Sequence, residues 1–129
     1  MNLPTPMARL FLLGLLLPAI QISVLAETSF YNVRDYGARG DKSTNDTQAI
    51  QAAIDACHQN GGGTVLFPAG DYLSSTLVLR DHITLHLTAG ATIWASTDPE
   101  HYKALGKRHL LSAEDVEHIG VLGEGVLHG

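Results

Sequence analysis

The side chains of this sequence that could do chemistry are two neighbouring aspartates, a set of histidines, two aromatic rings and a single thiol. Asp41 and Asp46 stand close enough in the chain to suggest an acid/base pair. Asn45-Asp46, however, directly precedes an amphipathic run, where a carboxylate meets free N–H groups and the positive end of a helix, and that structural role is the better reading. His82 and His86 have the i, i+4 spacing of a metal pair on a helix. On a strand the same spacing puts them about 13 Å apart, and both alternate with Ile83, Leu85 and Leu87, so they are expected to face solvent. His101, His109, His118 and His128 show no ligand spacing and are expected at scattered surface positions. Trp94 and Tyr102 carry flat rings on which sugars stack, with plain packing as the competing role. Cys57 falls on the apolar face of the amphipathic run, which makes it a buried thiol rather than a nucleophile.

Three short motifs are near misses. Gly123-x-Gly125-x-x-x-Gly129 has its third glycine one residue too late for a dinucleotide fingerprint and no helix after it. The stretch from Gly37 to Ser43 lacks the glycine that directly precedes the lysine of a phosphate loop. Asn45-Asp46-Thr47 fits the N-glycosylation sequon, but a helix cap explains the same residues. No catalytic, cofactor-binding or metal-binding residue is assigned on these grounds.

Composition narrows the classes. With 129 residues, 45% of them hydrophobic and 16% charged, the chain fits one folded domain and not a disordered segment. A formal charge of -5 with no run of Lys or Arg argues against nucleic acid as partner, since phosphate binding needs a basic footprint. One cysteine excludes an internal disulfide framework and a Cys-rich zinc site. Residues 1–26 read as a secretory signal: Arg9, an apolar core opening at Leu10, and Val24-Leu25-Ala26 before a cut at Glu27. The apolar run is about ten residues, against roughly twenty needed to span a bilayer. The expected product is therefore residues 27–129, secreted or periplasmic, with no membrane anchor. Loss of Arg9 leaves 7 basic against 13 acidic residues, a charge of -6.

The elements that must position these residues follow from periodicity. Asn45-Asp46-Thr47-Gln48 has the form of a capping box, and Ile50, Ala53, Ile54 and Cys57 then repeat at i, i+3, i+4 and i+7. That predicts a helix over 46–57, ended by Asn60-Gly61-Gly62-Gly63. Beyond it lie short β-rich runs in three units: 64–67 with 72–73, 83–87 with 92–94, and 119–122 with 126–127. Each unit turns at a glycine corner (Gly70, Gly90, Gly125), and the corners recur 20 and 35 residues apart. A polar insertion over 98–113 accounts for the difference. Recurrence near 20 residues, with single-residue bends in place of hairpin reversals, predicts an all-β solenoid whose open apolar end the helix caps.

The same residues carry a resemblance. The segment from Phe30 to Asp41 followed by Asn45 to Asp55, and then Gly61-Gly62-Gly63-Thr64-Val65-Leu66-Phe67-Pro68-Ala69-Gly70, resembles the opening of the pectin-lyase-like β-helix superfamily. Leu85 to Ile93 with Ser96-Thr97-Asp98-Pro99-Glu100-His101-Tyr102 is most similar to its polygalacturonase branch, the family 28 glycoside hydrolases. Val121 to Gly129 resembles a coil that usually reads Gly-x-Gly-x-Ile-Asp-Gly, with His128 in place of the Asp. The resemblance implies the N-terminal coils of a right-handed parallel β-helix, and an inverting hydrolase that uses one carboxyl as acid and another to activate water across about 6.5–9.5 Å. The family's Asn-Thr-Asp, Asp-Asp, Gly-His-Gly and Arg-x-Lys motifs do not occur in residues 27–129, so the catalytic aspartates are expected in coils beyond Gly129.

Three functions compete. The first is the N-terminal part of a secreted hydrolase of pectic polysaccharide, inactive and poorly soluble on its own. The second is a uronate lyase or epimerase. The third is a non-catalytic, glycan-binding or tailspike-type module. Polysaccharide is the expected partner in each, and no cofactor is expected. A charge of -6 repels polyuronate, so the cationic groups such a substrate needs are expected elsewhere.

Overall fold

Short apolar-polar alternation is what a strand with one buried side requires, and it decides most of this fold. The computed structural model describes residues 29–129; the expected signal segment, 1–26, lies outside them. Val65 and Phe67 of β3 (Gly63–Phe67) and Ile83, Leu85 and Leu87 of β6 (Ile83–Leu87) point inward and are buried, while the residues between them are partly exposed. β1 (Phe30–Asn32) and β9 (Gly120–Gly123) flank this pair, giving a four-stranded parallel sheet in the order β1-β3-β6-β9. A second parallel sheet runs β2 (Asp41–Asn45), β4 (Gly70–Ser74), β7 (Ala91–Ala95) and β10 (Val126–His128). The third is a two-residue pair, β5 (Leu77–Val78) with β8 (Leu111–Ser112).

In the first sheet register is held residue for residue, whereas β2 and β4 pair with a shift between Asp41 and Asn45. Thr64 pairs with Thr84 and Thr84 with Gly120, so successive partners lie 20 and 36 residues apart along the chain. Each return of the chain therefore lays a strand beside its predecessor in the same direction. Between the first two sheets the corner is made by glycine: Gly70 has φ +157° and Gly90 φ +87°. Gly123 is needed for a second reason, because a Cβ there would sit 2.0 Å from the Leu87 carbonyl oxygen. The core between the sheets is closed by Phe67 and Tyr72, edge to face with centroids 5.5 Å apart, and Tyr72 gives its hydroxyl proton to the Pro68 carbonyl at 2.6 Å.

The helix, α1 (Thr47–Gln59), buries Ile50, Ala53, Ile54 and Cys57 completely and lies against β1, β3 and the 3-10 turn Val33–Tyr36. Its start differs from the expected capping box. Asp46 occupies the N-cap, but its carboxylate turns away from the helix and accepts the Arg39 and Gly40 N–H groups, each at 2.9 Å. Only 2% exposed, it satisfies the incoming loop and not the helix end. Asn45 takes the Thr47 N–H at 3.1 Å in its place. The far end closes as expected, with the Gly61 and Gly62 N–H groups returning to the His58 and Cys57 carbonyls.

Candidate functional site

Ser96, 7% exposed, organises the polar insertion that follows β7. Its Oγ lies 2.6 Å from His101 Nδ1 and accepts the Asp98 N–H at 3.1 Å, and its carbonyl takes the Tyr102 hydroxyl at 2.7 Å. Asp98 accepts the Glu100 N–H at 2.9 Å and, with Pro99 after it, starts a 3-10 turn, Pro99–Tyr102. The loop then returns to the third sheet: Thr76 donates its hydroxyl to the His109 carbonyl, and the Leu77 and Leu79 N–H groups bond Leu110 and Ser112. This wiring fixes the Tyr102 ring over the groove between the loop and the start of α1.

Two clefts meet at Tyr102. The first, about 130 Å³, is lined by Asn45, Thr47, Gln48, Ser75, Thr76 and His101, with Ala104 and Leu105 as its apolar wall. The second, about 340 Å³, is lined by Ser96, Thr97, Pro99, Tyr102 and Arg108. Hydroxyl and amide groups beside a fixed aromatic ring match the surface of a sugar. Neither cleft has Asp or Glu in its lining, so neither holds a carboxylate pair for acid/base cleavage.

The structure separates the candidates read from sequence. Tyr102 lines both clefts. Trp94 is occupied instead: Lys42 Nζ sits 3.6 Å from its ring centroid, His128 packs against it at 4.3 Å, and its N–H bonds Asp71 at 2.9 Å. Asp41 accepts the Thr44 and Ser43 N–H groups and the Thr44 hydroxyl, which hold its carboxyl down at about 2, so it cannot serve as an acid. The Cys57 thiol is buried and pushed up by loss of solvent.

The histidines are less scattered than their spacing suggests. His82 lies in the turn before β6, not on the strand, and its ring stacks on His118 with centroids 4.9 Å apart. Both have positive φ (+62° and +56°), and both stand at the same corner of successive passes. His86 is half-buried and His101 is tied to Ser96. Among the described residues no group of three or more His, Cys, Asp or Glu is placed to hold a metal ion. What sequence reasoning missed is Arg108, whose setting depends on a loop with no periodicity to read.

The family model described as rhamnogalacturonase A/epimerase, pectate lyase-like, matches residues 30–113. The chain belongs to this family. Its relatives differ in what they do, from mannuronan epimerases and an alginate lyase to a plasmin- and fibronectin-binding protein of Streptococcus pneumoniae. Mannuronan C5-epimerase AlgE4 of Azotobacter vinelandii is 37% identical in an alignment 100 positions long that covers 70% of this chain and 18% of the epimerase. Alginate lyase 7 of the same organism is 67% identical over 42 residues, 33% of this chain and 5% of that protein. An exopolygalacturonase from Thermotoga maritima superposes with a TM-score of 0.72 at 30% identity, covering 81% of this chain and 26% of the enzyme. The chain thus spans a small share of each relative's length. The described residues form parallel sheets, and among them no helix is long and apolar enough to cross a membrane.

Proposed function

We propose that this chain forms the N-terminal passes of an exported protein that acts on uronate-bearing polysaccharide, hydrolysing it in the manner of polygalacturonases. In this reading the three parallel sheets wind as a right-handed β-helix, with α1 over one end and further passes stacked on β9 and β10. The observation that carries it is the Tyr102 groove, which is rich in hydroxyl and amide groups and free of lining carboxylates. Such a groove binds sugar but lacks the acid and base that cleavage needs, so the catalytic aspartates belong to the further passes. The exposed apolar residues of β9 and β10, Val121 (46%), Leu122 (52%) and Val126 (52%), favour such a continuation.

A second reading, a uronate lyase or epimerase, is favoured by the epimerase relative that matches 70% of the chain. The two differ in product. The native secreted protein should be collected, its intact mass measured, and its action on polygalacturonate and on alginate followed. New reducing ends without ultraviolet absorbance mean hydrolysis; an absorbing unsaturated product means elimination; altered uronate composition without cleavage means epimerisation. A native mass equal to residues 27–129, with no turnover on either polymer, would sink the enzyme reading and leave a binding module.

A further inference from the structure

We propose that Arg108 is a carboxylate-binding residue and that the cleft it shares with Tyr102 is a subsite for one acidic sugar of a uronate chain. The inference rests on the polyuronate reading and adds to it a recognition site within this chain. The polar insertion holds three fixed cations. Lys103 pairs with Glu100 at 2.8 Å, and Lys107 pairs with Glu114, whose carboxyl that ammonium holds below the usual carboxylate range. Arg108 has no acidic partner among the described residues, and no Asp or Glu lines its cleft. In a chain of net charge -5, an unneutralised guanidinium beside neutral hydroxyls offsets the general repulsion of an anion.

The remaining lining suits a sugar bearing that anion. A guanidinium offers a planar fork of N–H donors that fits a carboxylate with two parallel bonds, which an ammonium cannot do. Tyr102 cannot swing away, because its hydroxyl is committed to the Ser96 carbonyl, so its ring remains a fixed wall with Pro99 beside it. Thr97, exposed, lines the same cleft, and its hydroxyl makes no side-chain hydrogen bond among the described residues. Past Tyr102, the first cleft presents the exposed amides of Asn45 and Gln48 to the adjoining sugar, while the Thr47 and Thr76 hydroxyls are bonded within the chain. The shared chemistry is a uronate; galacturonate and mannuronate are its two sources.

The test is binding of short oligogalacturonate, oligomannuronate and the methyl ester of the former to the full chain, by calorimetry or NMR titration. Arg108 is exposed, so Arg108→Ala should leave the fold intact, which circular dichroism checks. The expected result is roughly tenfold weaker binding of one or both acidic oligomers by Arg108→Ala, with the methyl ester unchanged and Arg108→Lys in between. Unchanged affinity for the acids, or an equal loss for the methyl ester, overturns the subsite while leaving the polysaccharide reading in place. No binding of either acidic oligomer by the unmutated chain also overturns it; the product assay on the native protein judges the wider reading separately.

Discussion

Asp41 shows how a carboxylate that looks catalytic in sequence is spent on its own loop. The Thr44 and Ser43 N–H groups and the Thr44 hydroxyl bind only its ionised form, lowering the pKa from 3.8 to about 2. The folded value lies below the unfolded one, so this contribution to stability is complete above about pH 4 and is lost as pH falls through 2. Asp41→Asn should therefore melt at a lower temperature than the parent at pH 7, and the gap should close as pH approaches 2. A gap that stays constant from pH 7 to 2 would show that the carboxylate's charge is not what the loop uses. At this scale the sequence was legible where a residue's role is local. Cys57 sits on the apolar helix face, and it is buried. The partners of Trp94 and the His82–His118 stack were not legible, because they come from other passes, 23 to 52 residues away.

Elements long enough to show a period were legible, and shorter ones were not. Ile50, Ala53, Ile54 and Cys57 mark α1 in any reading, and the helix differs from its expected range by one or two residues at each end. The strand runs at 64–67 and 83–87 likewise fall within β3 and β6. β5 and β8 have two residues each, too few for alternation, and so the third sheet left no mark in the pattern. The packing of α1 gives a direct test. Ile54→Ala removes a fully buried side chain between the helix and the first strands and should cost about 2–5 kcal/mol in urea denaturation. Gln48→Ala, at an exposed position of the same helix, should change stability by less than about 0.5 kcal/mol. Equal effects would mean that the helix contributes propensity and not packing.

For the whole molecule the decisive contrast is between its two ends. One carries α1 and a buried face; the other carries β9 and β10, where Val121, Leu122, Val126 and Leu127 are each 41–52% exposed. Strand edges that are both apolar and unpaired template association. Residues 27–129 alone should self-associate with rising concentration, and Val121→Lys with Leu127→Lys should suppress this in light scattering without altering α1. A parent chain that stays monomeric at every concentration would contradict the argument. The rungs β3, β6 and β9 match residue for residue, while the stretch between matching residues is 20 long in one place and 36 in the next. Added length is absorbed outside the rungs, and loop closure grows only slowly with length, by about 0.6 kcal/mol per doubling. The segment bearing Tyr102 and Arg108 thus behaves as a cassette. Its length can change without shifting the register of β6 against β9, so a change of preferred sugar need not reopen the question of how the chain folds.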